Sequence, residues 1–228
     1  MMRRNIALIP AAGVGARFGA GKPKQYVEIN GKTVLQHTIE IFEQHPRIDL
    51  IAVILSPEDS VFQTALSEKV RVFRVGGASR AETVRNGVSV LLEQGLAEAQ
   101  DNILVHDAAR CCLPVEALTR LLDEAGENDE GGILAIPVAD TLKRSDGSHH
   151  IDETVARAGL WQAQTPQLFQ TALLNRALSV DDLSEITDEA SAIEKLGIRP
   201  RLVQGDTRNL KLTLPQDEYI VRLLLKAV

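Results

Sequence analysis

The sequence predicts an α/β fold with a mostly parallel sheet covered by helices. Short apolar runs rich in β-branched residues alternate with longer segments of helical period, which is typical of such a sheet. A glycine-rich loop directly follows the first apolar run. The chain has 228 residues, of which 44% are hydrophobic, and this suffices for one large domain with a sizeable core.

The predicted strands are short apolar runs, and Pro10 marks the end of the first one. Five runs alternate with the helical segments, and two shorter ones follow near the end of the chain. The candidates are Ile6–Pro10, Leu50–Leu55, Val70–Val75, Asn102–His106, Ile133–Val138, Arg199–Val203 and Leu210–Thr213.

The predicted helices carry recognisable start signals. Thr33 and Gln36 form a capping box ahead of apolar residues at helical spacing. Proline favours the first turn of a helix, because it lacks the N–H that a first turn leaves unbonded. Helix starts are therefore expected at Ser56-Pro57 and at Pro114. Further helices are expected from about Gln170, at Thr187-Asp188-Glu189 and after Pro215.

The regular alternation breaks between residues 139 and 159, where the chain becomes polar. Ser145-Asp146-Gly147 is a hairpin turn signal between two polar flanks. We expect a protruding β-hairpin arm, which acts as a mobile lid or as a dimerisation element because an isolated hairpin is only marginally stable in water. Residues 1–228 otherwise form a single domain in this interpretation.

The overall charge argues against nucleic acid or a membrane as a partner. The chain has 31 acidic and 25 basic residues, a net charge of −6, and only 4% aromatic residues. The first apolar stretch is too short for a signal peptide or a membrane span. The two cysteines, Cys111 and Cys112, are adjacent and cannot form a disulfide framework, so we expect a cytoplasmic protein.

One segment of this acidic chain is basic, because residues 1–27 contain no Asp or Glu. Arg17 and Lys24 lie in a loop that is rich in small residues, including Gly13 and Gly15. Small residues let backbone N–H groups approach an anion closely. The loop therefore predicts a phosphate-binding site.

Two common phosphate-binding motifs do not fit this loop. A dinucleotide fingerprint requires glycine where the chain has Phe18. A P-loop requires glycine at Ala16 and a hydroxyl residue at Pro23.

The arrangement A-A-G-x-G-x-R followed by P-K-Q resembles nucleotidyltransferases that join a nucleoside triphosphate to a phosphorylated sugar or alcohol. The longer string Pro10-Ala11-Ala12-Gly13-x-Gly15-x-Arg17 with Pro23-Lys24-Gln25-Tyr26 is most similar to the 2-C-methyl-D-erythritol 4-phosphate cytidylyltransferase family. The resemblance implies a Rossmann-like sheet with helices on both faces. It also implies that CTP and a polyol phosphate are the substrates.

Four later segments match the same family in order. They are Gly76-Gly77-Ala78-Ser79-Arg80-Ala81-Glu82-Thr83-Val84, His106-Asp107-Ala108-Ala109-Arg110, Thr187-Asp188-Glu189-Ala190-Ser191 and Asn209-Leu210-Lys211-Leu212-Thr213. A departure follows Arg110, where Cys111 stands in place of the proline that is usual in the family.

The resemblance assigns roles to individual residues. The implied catalytic residues are Arg17, Lys24 and Lys211, and the implied metal ligand is Asp107, which would hold Mg²⁺ or another divalent cation. The implied nucleotide-binding residues are Pro10, Ala11, Ala12, Gly13, Gly15, Gly77, Arg80, Thr83 and Ala108. The implied acceptor-binding residues are Arg110, Thr141, Arg157, Thr165 and Thr187, and the arm would join two subunits of a homodimer.

Two rival functions stay open at this point. A ribitol-5-phosphate cytidylyltransferase, or a related sugar-phosphate nucleotidyltransferase, shares the loop and differs in its acceptor contacts. A nucleotide-binding regulatory protein without catalysis is the more distant rival. It would be expected to lack one of the charged residues of the mechanism, and Lys24, Asp107 and Lys211 are present together with Arg17.

Overall fold

The strands form one large sheet and two small ones in the computed structural model, which describes residues 3–13, 23–63 and 67–226. The large sheet has seven strands in the order β11-β7-β10-β6-β1-β4-β5, and the small ones pair β2 with β3 and β8 with β9. The strands are β1 Asn5–Pro10, β2 Glu28–Ile29, β3 Lys32–Thr33, β4 Leu50–Ile54, β5 Val70–Phe73, β6 Asn102–Val105, β7 Gly132–Pro137, β8 Leu142–Ser145, β9 Ile151–Val155, β10 Trp161–Gln170 and β11 Arg201–Gln204.

The large sheet is mostly parallel, as the sequence predicts. Strand β1 pairs in parallel with β4 on one side and with β6 on the other. Within the described pairs of this large sheet, only β10 runs antiparallel to its neighbours, β6 and β7. The predicted α/β class is therefore confirmed, with one antiparallel strand inside the sheet.

Strand β10 is absent from the prediction. Its sequence contains Pro166, which lacks a donor for the ladder and argues against a central strand. The strand accommodates it by a shift of register against β7 between Ala163 and Gln167. The prediction of a strand at Leu210–Thr213 is wrong, because this extended segment is fixed instead by a single backbone bond from Leu212 N to Ala109 O of 2.9 Å.

Six helices connect the strands within the described residues. They are α1 Val34–Gln44, α2 Arg80–Glu93, α3 Val115–Ala125, α4 Thr171–Leu178, α5 Glu189–Glu194 and α6 Asp217–Leu224. The predicted capping box of α1 is confirmed, with Thr33 and Gln36 bonding each other's backbone. Pro114 precedes α3 as its N-cap.

The helix expected after Ser56-Pro57 is not formed in the described residues 57–63. The side chain of Asp59 accepts hydrogen bonds from the backbone N–H groups of Val61 and Phe62 there. Such local bonds compete with helical ones, so this segment forms a turn.

Helices cover both faces of the sheet, as the family resemblance implies. Ala7 and Ile9 of β1 point into a core formed with α1 and α3. Ile6 and Leu8 point to the opposite face, into a core formed with α2, α4 and α5. The alternating side chains of β1 thus pack into both apolar layers. The carboxyl end of the strand lies at the edge between these layers.

Strands β8 and β9 form an antiparallel hairpin within the segment predicted as an arm. Its side chains are largely exposed, including Ile151, of which 66% is accessible. None of the helices in the described part of the chain is long and apolar enough to cross a membrane.

Candidate active site

A cavity of about 460 Å³ opens at the carboxyl ends of the central strands. Strand β1 lies between β4 and β6, so the chain turns to opposite sides of β1 at this point. Open α/β sheets bind ligands at such a switch point. The lining residues are Pro10, Ala11, Ala12, Gly13, Lys24, Gln25, Ser56, Gly77, Ala78, Ser79, Arg80, Thr83, Asp107, Ala108, Ala109 and Lys211.

Most of the predicted nucleotide and catalytic residues meet in this cavity. The predicted residues among its lining are Pro10, Ala11, Ala12, Gly13, Lys24, Gly77, Arg80, Thr83, Asp107, Ala108 and Lys211. Gly15 and Arg17 lie outside the described residues, so their predicted roles stay predictions.

The loop after β1 is fixed by a buried side chain that the sequence analysis did not assign. Gln25 donates through Nε2 to the backbone oxygens of Ala11, at 3.0 Å, and Gly13, at 2.9 Å. It thereby ties the start of the loop to the short 3₁₀ turn Lys24–Tyr26. This tie sets the distance between the described part of the loop and Lys24.

The second wall of the cavity requires glycine. A Cβ on Gly76 would lie 2.3 Å from the Cβ of Ala12 and 2.8 Å from the Leu55 oxygen. The N–H of Gly77 donates to Oγ1 of Thr83 at 3.1 Å, and Ser79 caps the N-terminus of α2 by accepting from the N–H of Glu82. The backbone at Gly76 therefore packs directly against Ala12 of the loop after β1, with no room for a side chain on residue 76.

A cluster of charges forms the floor of the cavity around Asp107. Its carboxylate lies 2.9 Å from Nε of Arg80, 2.8 Å from Nζ of Lys211 and 3.5 Å from Nε of Arg110. Burial alone would raise the pKa of Asp107, but the cations outweigh it and hold the pKa well below its usual range. Asp107 is therefore ionised at neutral pH.

Backbone contacts bring Lys211 to this position. The bond from Leu212 N to Ala109 O joins the Lys211 segment to the loop after β6. The buried Asn209 donates through Nδ2 to the oxygen of Thr165 at 2.8 Å, and Arg110 NH1 donates to the oxygen of Asn209 at 2.6 Å. Residues from two distant segments are thus held at one carboxylate.

Thr165 contacts the backbone of the metal-ligand candidate. Its Oγ1 accepts from the N–H of Asp107 at 3.0 Å and lies 3.1 Å from Nδ1 of His106. Burial lowers the pKa of His106 to about 4, so the ring is neutral at neutral pH. Its Nε2 donates to the carbonyl of Arg110 at 3.0 Å, so Nδ1 accepts the hydroxyl proton of Thr165. Thr165 therefore holds the backbone of Asp107 in place and leaves its carboxylate free for other contacts.

None of the five predicted acceptor-binding residues, all of which lie in the described part of the chain, lines this cavity directly, and three of them lie away from its charge cluster. Thr141 and Arg157 are exposed near the hairpin, and Thr187 is exposed just before α5. Arg110, by contrast, contacts Asp107. The predicted acceptor residues are thus divided between the cavity floor and the periphery.

The sequence analysis assigned no site role to Glu189, which the structure places in the same charge cluster. Glu189 forms an ion pair with Arg80, at 2.7 Å from NH1. Its segment carries a helix-start signal, and that signal alone explains an acidic residue in a first turn. Asp107 pairs with Arg80, Arg110 and Lys211, and Glu189 pairs with Arg80, so this cluster holds three cations against two carboxylates and suits an anion.

The fold and the site together define a class. A Rossmann-like sheet with a cationic, glycine-walled cavity at its switch point is that of a nucleotide-binding α/β enzyme. Within this class the chain belongs to the 2-C-methyl-D-erythritol 4-phosphate cytidylyltransferase family, whose model matches residues 5–227. The family predicted from the sequence motifs is thereby confirmed.

Individual relatives agree with this membership. A 2-C-methyl-D-erythritol 4-phosphate cytidylyltransferase of Neisseria meningitidis serogroup A is 70% identical over 231 residues, covering all of both chains. The relative of the same description from Chromobacterium violaceum is 50% identical over 97% of this chain and 98% of its own.

Solved structures show the same fold. The crystal structure of a 4-diphosphocytidyl-2C-methyl-D-erythritol synthase is 63% identical, has a TM-score of 0.89, and covers 99% of this chain and 100% of its own. The Francisella tularensis 2-C-methyl-D-erythritol 4-phosphate cytidylyltransferase is 32% identical, with a TM-score of 0.82 over 97% of this chain and 99% of its own.

Proposed function

We propose that the chain transfers the cytidylyl group of CTP to 2-C-methyl-D-erythritol 4-phosphate in isoprenoid precursor biosynthesis. The products are 4-diphosphocytidyl-2-C-methyl-D-erythritol and pyrophosphate. This function rests on one observation: Arg80, Asp107 and Lys211 meet at the switch-point cavity of a chain that the family model matches over residues 5–227. The ribitol-5-phosphate alternative is not favoured, because the matching family and the relatives named above carry the methylerythritol name.

The chemistry requires positive charge more than a general base. A phosphate oxygen of the acceptor attacks the α-phosphorus of CTP, a new P–O bond forms, and the bond to the leaving pyrophosphate breaks. The second pKa of a phosphate monoester is about 6, so the attacking dianion is already formed at neutral pH. Lys24 and Lys211, both in the cavity lining, would stabilise the negative charge that accumulates on the phosphate oxygens. Arg17 is proposed to act with them.

The side chains available in the cavity suit a metal site at Asp107 that is completed by the substrate. Among the described residues, no group of three or more His, Cys, Asp or Glu side chains surrounds a common point. Mg²⁺ is commonly held by one or two carboxylates together with substrate phosphates, and one ionised carboxylate faces this cavity. Asp107 would therefore share the ion with the triphosphate. The bound ion would neutralise charge on the reacting phosphate groups.

The acceptor would be held by residues of both the floor and the hairpin. Arg110 and Lys211 supply cations beside Asp107, while Thr165 supports that carboxylate. Thr141 and Arg157 are exposed near the hairpin, which is consistent with their completing the site of a second copy. Thr187 is proposed to contact the acceptor from the edge of the site. We infer a homodimer in which residues 139–159 are the joining arm of an otherwise single domain.

The proposed compartment is the cytoplasm. Cys111 and Cys112 are both free thiols, and Cys111 is buried, which is consistent with a reducing compartment.

A comparison of two acceptors tests the activity and its closest rivals together. The purified chain is mixed with CTP, Mg²⁺ and either 2-C-methyl-D-erythritol 4-phosphate or ribitol 5-phosphate, and pyrophosphate release is measured. Release with the first acceptor alone is expected. Release with ribitol 5-phosphate alone would establish the rival transferase, and CTP binding without release in a broad acceptor screen would indicate a regulatory protein.

A further inference from the structure

Glu189 is a fully buried carboxylate that the proposed chemistry does not use. Only 1% of the residue is exposed, and its two oxygens lie 2.7 Å from NH1 and 3.1 Å from NH2 of Arg80. The third nitrogen of the Arg80 guanidinium, Nε, donates to Oδ1 of Asp107 at 2.9 Å. Arg80 is thus held at both edges of its guanidinium by two carboxylates.

The support beneath Glu189 is rigid. Asp188 caps α5 by accepting from the N–H of Ser191, and Oγ of Ser191 accepts from the N–H of Asp188 in return. Gln167 of β10 binds this turn on both sides of Glu189, through Asp188 Oδ2 and the N–H of Ala190, each at 2.8 Å. The carboxylate of Glu189 therefore has a fixed place relative to the sheet.

Arg80 needs such a support because its guanidinium lies at the open cavity, where solvent and ligand compete for its hydrogen bonds. It is the first residue of α2, its side chain is 29% exposed, and it lines the cavity. Asp107 alone would let the guanidinium pivot about a single hydrogen bond. A bidentate pair fixes the plane as well as the position of an arginine.

We propose that Glu189 is a positioning residue that orients Arg80 toward the nucleotide in the switch-point cavity. The proposal rests on the nucleotidyl transfer argued above. Stability alone gives little reason for this arrangement, because well-packed apolar replacements of buried ion pairs are often as stable. The geometry accounts for it, because Glu189 holds Arg80 in place whichever partner Asp107 takes.

The direct test measures binding of CTP by calorimetry in the absence of acceptor, followed by steady-state kinetics. Glu189→Gln keeps the shape but places an amide donor against Arg80, so one of the two bonds is lost. We expect the Kd and KM for CTP to rise about tenfold, the order of one charge-assisted hydrogen bond, with kcat within about threefold of wild type. Glu194→Gln is the matched control, since Glu194 is exposed at the end of the same helix.

A double substitution separates positioning from a general effect on folding. If Glu189 acts through Arg80, Arg80→Gln with Glu189→Gln binds CTP no more weakly than Arg80→Gln alone. Additional weakening in the double variant, or unchanged CTP binding in Glu189→Gln, would overturn the proposal. If circular dichroism shows that Glu189→Gln does not fold, Glu189→Asp, which keeps the charge, takes its place. It is then measured alone and together with Arg80→Gln, and the same comparison is made.

The test is independent of acceptor identity. A wild-type chain that binds CTP but uses neither acceptor would contradict the proposed function, and the CTP-binding comparison would still judge the role of Glu189.

Discussion

Nζ of Lys211 lies 2.8 Å from Oδ2 of Asp107, although the two residues belong to segments that are far apart in the sequence. Lys211 comes from an extended segment after β11, and Asp107 from the turn after β6. Their ion pair places the proposed metal ligand and a proposed catalytic cation in one contact. Binding of the proposed metal ion to Asp107 would therefore compete with its contact to Lys211.

Removal of the Lys211 charge tests its catalytic role. Lys211→Met keeps most of the side-chain stem, and we expect kcat to fall about 10²–10³-fold, roughly 3–4 kcal/mol of transition-state stabilisation. Lys195→Met is the control, because Lys195 pairs with exposed Glu185 and neither residue is in the cavity lining. A kcat within threefold of wild type for Lys211→Met would remove Lys211 from the mechanism.

Mixed dimers test whether Arg157 serves the partner's site. Lys211→Met and Arg157→Gln are each expected to be nearly inactive. If Arg157 acts across the interface, a heterodimer of the two has one intact site, so a fully exchanged equal mixture regains roughly a quarter of wild-type activity. No recovery, with exchange verified by differently tagged subunits, would place Arg157 in its own chain's site or outside the site.

Deletion of the hairpin tests the proposed interface. Replacing residues 139–159 by a short glycine-rich link should give a monomer by light scattering, with impaired activity. The exposed side chain of Ile151 gives this segment apolar surface for a partner, and the exposed Leu160 and Trp161 directly after it extend that surface. A dimer of full activity after the deletion would refute the role of the arm.

We predict that one added methyl group at the glycine wall of the cavity lowers both stability and CTP binding. Gly76→Ala brings a Cβ against Ala12 and the backbone of Leu55, so it should destabilise the fold by about 1–3 kcal/mol and weaken CTP binding. Gly147→Ala is the matched control, because nothing lies within 4 Å of its Cβ position. Denaturant unfolding and CTP titration measure both effects, and equal behaviour of the two variants would contradict the close approach.

A buried ion pair remote from the site predicts a pH-dependent stability. Asp101 accepts from Arg4 at 2.7 Å and has a side chain only 4% exposed. Burial alone would raise the pKa of Asp101, but its bonds to Arg4 and to the backbone outweigh burial and lower it. Its contribution is therefore fully present above the unfolded pKa of about 4, and is lost as the pH falls through the lower, folded value.

Asp101→Asn should thus cost about 2 kcal/mol of unfolding free energy at pH 7, since Arg4 is partly exposed and solvent screens the pair. The difference from wild type should stay level from pH 8 to 5 and shrink below about pH 4. Asp129→Asn, at a surface ion pair with Arg3, is the control with a small effect. A difference that grows on acidification would contradict the sign of the pKa shift.

The predictable part of the molecule is the part whose signals are local. Apolar runs of β-branched residues located β1, β4 and β6, and the capping box located the start of α1. The motif residues that line the cavity follow these elements directly, so their position in the fold was fixed once the strands were known. The individual cavity residues were predicted from the family resemblance, which left Gln25, Ser56, Ala78, Ser79 and Ala109 of the lining unassigned.

The features that the sequence does not predict depend on contacts between residues that are far apart in the chain. Strand β10 carries a proline in a weakly alternating run, and its neighbours on both sides define it as a strand. Thr165 has its role through the N–H of Asp107 and the ring of His106, which follow another strand. Glu189 resembles an ordinary helix-start acid until Arg80 is placed opposite it.

Transfer of label from CTP tests the central claim most directly. CTP labelled at its α-phosphate is incubated with the wild-type chain, Mg²⁺ and 2-C-methyl-D-erythritol 4-phosphate, and the products are separated. The account predicts that the label appears in 4-diphosphocytidyl-2-C-methyl-D-erythritol, with one pyrophosphate released per labelled product. Label that stays in CTP, or that appears as free CMP, would contradict it.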